Sequence, residues 1–357
     1  MNRWRVQRAL LDKELHHNRG YFLVALVLLI YVPVLKSLYY LLQGGRMLHK
    51  WGEQLTYMLN FYQLPMGPPP LPQNSLHVIW LAAPILLGAL LLGEERKGSL
   101  RYLVTTPVSR YDIVLSKFLF GSTDLLLAMA VNTVFLLSMS GALGLGVDAT
   151  IILRWGLIMS LGLTALFTLA LFTSTFTASV LPAAGLSFLL IYLPQALIAM
   201  LENMAARYFN ASQSFSIKML YLGDYLTITD YLTGEHWSII QAVDHFPNWR
   251  MYATSGMLGS APRLGMETIP LLLAIICLLG LAMAVFNRIS LEEQGILFAN
   301  TRTRLIFISL GGLLIAYLLA FPLCSTLLLY LFCMFVIIAF YLLLDYLSRR
   351  LKRSRTK

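Results

Sequence analysis

Charged side chains are sparse in this sequence, and the densest pattern of them is Glu94, Glu95, Arg96 and Lys97, followed by Gly98-Ser99-Leu100 and then Thr106-Pro107-Val108-Ser109-Arg110. These are contact residues, not reagents. The carboxylates and cations can form ion pairs, the glycine and proline shape the backbone, and Leu100 and Leu103 can seat in an apolar groove. Reactive motifs are missing: no G-x-x-x-x-G-K-[ST] loop cradles phosphates, no H-E-x-x-H binds a metal, and no G-x-S-x-G elbow raises a nucleophile. His16 and His17 are adjacent instead of at helical metal spacing, and read as a pair facing lipid headgroups. No catalytic or metal-binding residue is assigned, and no cofactor is expected on this chain.

The medium that positions this stretch is a membrane. Of the 357 residues, 58% are hydrophobic and only 12% charged, and the mean hydropathy is +0.71, values of a polytopic membrane protein. The net charge of +10 sits between apolar runs, which fits the positive-inside rule and not a nucleic-acid footprint. Cys277, Cys324 and Cys333 fall within apolar segments, where a thiol acts as a small hydrophobe. The amino-terminal apolar run is as long as a full span and lacks a small-residue cleavage site, so it reads as a retained helix.

A spanning helix needs roughly 20 mostly apolar residues. Eight candidates meet that test, near 20–42, 76–93, 118–143, 151–173, 179–201, 268–287, 304–322 and 325–346. Pro33, Pro84 and Pro194 lie inside spans, where neighbouring helices can satisfy the freed carbonyls. With both termini cytoplasmic, the inner connections hold 19 of the 27 Lys and Arg residues, the last cluster being SRRLKRSRTK. Two outer connections are long. Residues 43–75 carry GPPPLP, which favours extended backbone. Residues 202–267 form an extracytoplasmic loop or small cap rich in Tyr, Trp and Phe, read either as packing on itself and the headgroups or as a substrate surface. The order of connections repeats from the fifth span onward, and GEERKGSL after the second span is echoed by SLEEQGIL after the sixth. Parallel repeats and chance both account for the echo.

Five parts follow: an amphipathic helix at 1–19, spans one to five at 20–201 with a coupling segment at 93–117, the outer segment 202–267, spans six to eight at 268–346, and a basic tail at 347–357. In the first part Trp4, Leu11 and Leu15 fall on one stripe, which can lie in the headgroup layer with Arg8 snorkelling beside it; a plain tail is the alternative. In the 93–117 segment Leu100, Leu103 and Val104 share a helical face, Thr106-Pro107 breaks that helix, and Ser109 caps the next one with Asp112 at its third position. That second helix is expected to run on into the third span, giving a helix, a sharp turn and a helix. The exit at Glu292, Glu293 and Gly295 is either a second such element or a solvated loop.

Within the spans the polar residues are Asp124, Asn132 and Gln195. An ionised carboxylate at the bilayer centre costs about 2.5–3.5 kcal/mol on insertion scales, so Asp124 is expected at an interface, in a pair or facing a polar cavity. Asn132 and Gln195 suit interhelical hydrogen bonds. A substrate path through Asp124, Asn132 and Gln195 is the alternative.

Glu94, Gly98, Ser99, Leu100, Leu103, Thr105, Pro107, Val108, Ser109, Arg110, Ile113, Val114, Ser116, Lys117 and Leu119 together resemble the segment after the second span of type-2 ABC transporter permeases. The amino-terminal amphipathic helix resembles that family's connecting helix. The resemblance implies an all-α polytopic fold, here a six-span core plus two, with cytoplasmic coupling helices. It also implies that Glu94, Glu95, Gly98, Ser99, Leu100, Leu103, Pro107, Val108, Ser109 and Arg110 seat against a separate cytoplasmic ATPase holding ATP and Mg. A second permease chain, identical or related, completes the implied assembly in the cell membrane. Two further function classes stay open: a membrane enzyme acting on lipid-type substrates at the outer aromatic segment, and a motor-coupled sensor without cargo.

Overall fold

The computed structural model describes residues 3–43, 52, 55–56, 59, 73–93, 108–177, 179–228, 230–233, 264–288 and positions 329, 331, 332, 335, 336 and 339. Its elements are helices: α1 (Arg3–Gln43), α2 (Gln73–Gly93), α3 (Arg110–Leu143), α4 (Ala149–Phe176), α5 (Val180–Phe209), α6 (Gln213–Leu226), α7 (Asp230–Thr233) and α8 (Leu264–Arg288). Among the described residues α3, α4, α5 and the Thr268–Arg288 part of α8 are long and apolar enough to cross a membrane. They coincide with the third to sixth expected spans, and α2 with the second. The spans expected at 304–322 and 325–346 lie outside the described residues, except that 329, 331, 332, 335, 336 and 339 are helical. Of the outer segment 202–267, the structure describes the end of α5, then α6, α7 and the first residues of α8 at 264–267.

The amino terminus differs from expectation. The separate helix at 1–19 and the span from residue 20 are one helix, α1, which continues through Gly20 and Pro33. No helix breaker stands between residues 13 and 24 except Gly20, and a side chain there would meet nothing within 4 Å. The packing face differs too. Leu15 of the expected apolar stripe is exposed, while Leu10, Glu14, Asn18, Ala25 and Leu29 are buried. These five recur at helical spacing, so α1 buries a polar pair along with its apolar side chains.

Chain contacts divide the molecule into two compact units, Met1–Tyr192 with Asp224–Leu297, and Leu193–Gly223 with Phe298–Lys357. In the first unit the helix directions alternate. α1 and α3 run parallel, because Lys117 reaches Glu14 and Asn132 reaches the Leu29 carbonyl, both across 103 residues. α3 and α4 run antiparallel: Gly121 abuts the Phe167 ring, Gly156 abuts Thr133, and Ser140 Oγ donates to the Val147 carbonyl at 3.1 Å. α2 runs with α4, since Gly88 abuts Phe167, Ala170 and Leu171 and accepts from Ser174 Oγ, while Gly93, at the α2 end, abuts Val180 just beyond the end of α4. Successive spans pointing in opposite directions is what repeated crossing of a bilayer requires.

α4 is the central post of this unit. Its sequence is apolar around its whole circumference, which suits a helix with neighbours on every side, and 78% of its most apolar stretch is buried against 22–33% in the other candidate spans. Lipid supplies no hydrophobic drive between helices, so close approach over small residues must hold them together. Gly88, Gly121, Gly156 and Gly162 each stand where an added Cβ would collide with a neighbouring helix or side chain. The α4 hydroxyls at Ser160, Thr164, Thr168 and Ser174 donate back to carbonyls of their own helix, so these four donors are satisfied without a partner from another helix. The link from α3 to α4 is a tight turn. Gly144 and Gly146 take left-handed backbone at φ 61° and 71°, conformations a side chain would oppose, and Asp148 then caps α4 by accepting from the Thr150 backbone N–H.

In the second unit α5 passes through Pro194 to Phe209. Asn210 turns the chain at a positive φ of 49°. Gly223 of α6 then lies in van der Waals contact with Ile198 of α5.

Candidate functional site

The start of α3 is built as expected. Ser109 has extended backbone and its side chain accepts from the Asp112 N–H. Its hydroxyl in turn donates to Asp112 Oδ2 at 2.6 Å. One orphan N–H of the helix start is satisfied by this exchange, and the carboxylate stands at the positive end of the helix dipole. From this cap α3 runs without interruption to Leu143, so a force applied at Ser109 acts on a rigid rod of 34 residues.

Three helix ends meet at this cap. From α1, Gln7 Nε2 donates to Asp112 Oδ1 at 2.8 Å. From the other side, Arg110 Nη1 donates to the carbonyls of Phe286 and Asn287 at 3.3 and 3.2 Å. Those carbonyls are among the last of α8, where a cation satisfies orphan acceptors and opposes the dipole. Asn287 Nδ2 also donates to the Tyr111 hydroxyl at 3.1 Å. Two turns into α3, Lys117 Nζ lies 3.1 and 3.2 Å from the two Glu14 oxygens. That ion pair is dry, with side-chain exposures of 0% and 2%, and Asn18 Nδ2 donates to Glu14 Oε2 at 2.6 Å. Removing one member of such a pair costs about 3–5 kcal/mol, because the other stays buried and uncompensated.

Of the sequence-predicted site residues, the structure describes Val108, half-buried, Ser109, exposed, and Arg110. Glu94, Glu95, Gly98, Ser99, Leu100, Leu103 and Pro107 lie outside the described residues, as do Glu292, Glu293 and Gly295. The junction nonetheless links the two regions: Arg110 stands directly after the first pattern, and Asn287 five residues before the second. Sequence reasoning missed Glu14, Gln7 and Asn18. The signal for Glu14 was Lys117, a cation at the mouth of an apolar span that needs a counter-charge.

The in-span polar residues differ in their surroundings. Asn132 is buried and makes an interhelical hydrogen bond, Nδ2 to the Leu29 carbonyl at 3.0 Å. Gln195 is half-buried in α5, within the second unit. Asp124 is fully buried, and neither carboxylate oxygen has a hydrogen-bond partner among the described residues. Of the alternatives expected for Asp124, a hydrogen-bonded or ion-paired partner is not found among the described residues, because α3 turns this side chain into the helix packing.

A family model described as ABC-2 family transporter protein matches residues 51–233, over half of the chain. The chain belongs to the ABC-2 transporter family. It is thus a multi-pass membrane permease of an ABC transporter. No curated protein matches it. The matched region carries Asp112, Lys117, Asp124 and Asn132, whereas Gln7, Glu14, Phe286 and Asn287 lie beyond it. Half of the polar junction in this ABC-2 chain therefore comes from segments on either side of the family match.

Proposed function

We propose that this ABC-2 chain is the permease subunit of an exporter driven by a separate cytoplasmic ATPase, which holds ATP and Mg. The carrying observation is the junction at Ser109 and Arg110. It follows immediately on the Gly98 to Pro107 pattern and is bonded to α1 on one side and α8 on the other. A push on that pattern by a closing motor reaches three helices together, and re-packing them opens a path at the interface with a second permease chain. Eight spans, a cell-membrane location with both termini cytoplasmic, and a second contact at Glu292, Glu293 and Gly295 complete the reading. Alternating helix directions and the clustering of basic residues in the inner connections support that topology.

The test uses Glu94→Ala and Gly98→Trp in the full complex. Both variants are expected to insert in the membrane at normal levels yet lose ATPase co-purification or ATP-dependent transport. Retention of both properties by both variants overturns the assignment.

A further inference from the structure

Of the buried polar residues of α3, Lys117, Asp124 and Asn132 recur at the helical spacing of one face, the face that meets α1. The two ends of this series are tied to α1, through Glu14 and the Leu29 carbonyl. Their common offset of 103 residues puts Asp124 level with Tyr21 and Ala128 level with Ala25. Three buried atoms here have no hydrogen-bond partner: Asp124 Oδ1, Asp124 Oδ2 and Asn132 Oδ1. The Asn132 amide cannot be turned to change this, because its nitrogen must face the Leu29 carbonyl it donates to. All three atoms are acceptors, and one group carries a carboxylate.

The surroundings narrow the ligand further. One turn before Asp124, Phe120 packs on Phe22 of α1 at 5.6 Å between ring centroids, and Gly121 faces the Phe167 ring of α4. Three helices thus bring aromatic rings to the level one turn before Asp124, and aromatic faces attract cations. One turn after Asp124 the common offset pairs Ala25 with Ala128, both buried and both small. Separating α1 from α3 there gives up little packing. A buried carboxylate in a span is retained at a cost in stability, which is the mark of a ligand contact.

We propose that the seam between α1 and α3 binds a hydrophobic organic ammonium carrying N–H donors, held by Asp124 and Asn132, as the cargo class of this permease. The inference rests on the permease reading, and it deepens that reading by naming the cargo. The ammonium donates to the Asp124 oxygens, a further N–H reaches Asn132 Oδ1, and the Phe22, Phe120 and Phe167 rings cover the apolar body. Entry accompanies the parting of α1 and α3.

Dansylcadaverine, a fluorescent primary ammonium, and its neutral N-acetyl derivative serve as probes on the purified full chain in lipid nanodiscs. The wild type is expected to bind the amine saturably and in preference to the acetyl derivative. Asp124→Asn keeps the shape and removes the charge, and should weaken amine binding at least about tenfold, as loss of a charge-assisted bond does. Asn132→Leu should weaken it about threefold, as loss of a neutral bond does. The melting temperature of Asp124→Asn should equal or exceed that of wild type, since an uncompensated buried carboxylate is gone. Equal amine affinity in wild type and Asp124→Asn, no preference for the amine, or an Asp124→Asn chain that fails to fold would each overturn the proposal. No ATPase is needed in this assay, so its failure leaves the Glu94 and Gly98 test of motor coupling standing.

Discussion

Replacing Lys117 by Met strands the Glu14 carboxylate in a dry helix contact. Both partners are almost fully buried, at 0% and 2%, so water cannot take over the lost interaction. The general cost of breaking such a pair is about 3–5 kcal/mol. Asn18 remains 2.6 Å from Glu14 Oε2 and softens the loss, which places the expected value near the lower end, about 3 kcal/mol. That is roughly a hundredfold change in the folded-to-unfolded ratio. Glu14→Leu combined with Lys117→Met removes both charges and fills the space with apolar atoms. The pair replacement should recover the loss and can exceed wild-type stability by about 1–4 kcal/mol. Titration of detergent-solubilised protein with sodium dodecyl sulfate, run on wild type, both single variants and the double, gives the coupling energy directly. A Lys117→Met loss below about 1 kcal/mol, or a double variant no more stable than the singles, refutes the account of a buried, mutually compensating pair. The double variant also tests transmission: if the pair carries displacement from the α3 start to α1, its transport rate falls although its stability does not.

Gly88→Val should cost about 1–3 kcal/mol or more, since its Cβ would stand 2.7 Å from the Phe167 carbonyl oxygen, a backbone atom that cannot move aside; the same titration applied to Gly141→Ala, where nothing lies within 4 Å, should show no loss. At Asp148 the hydrogen bond from the Thr150 backbone N–H holds the carboxyl below its ordinary range. Its contribution to stability is therefore present above the unfolded carboxyl pKa and declines as pH falls through the lower folded value; Asp148→Asn, which keeps the cap, should flatten the acid limb of a melting-temperature profile.

Local rules made much of this molecule legible. Apolar run lengths located α3, α4, α5 and α8, each long enough to cross a membrane, and the shorter apolar helix within α2, because a bilayer fixes how much apolar chain a helix needs. The α3 cap was legible as well: Ser109 and Asp112 are near neighbours in the chain, and their bond needs no distant partner. Less legible was the amino terminus, where an apolar stripe suggested a surface helix and the structure buries Glu14 and Asn18 instead. Composition could not show that, since the partner, Lys117, comes 103 residues later.

By itself, then, the sequence determined that the chain is helical and membrane-spanning, where its third helix begins, and which family pattern precedes that start. These follow from hydropathy and short-range hydrogen bonding, which act over one helix turn or one bilayer thickness. Only the tertiary structure decided that Arg110 closes the end of α8, that Glu14 neutralises Lys117, and that Asp124 is left buried with no bond to either oxygen. Which face of a helix meets which neighbour depends on register between segments far apart in the chain, and register is set by packing over small residues such as Gly88, Gly121 and Gly156, not by the local order of residues.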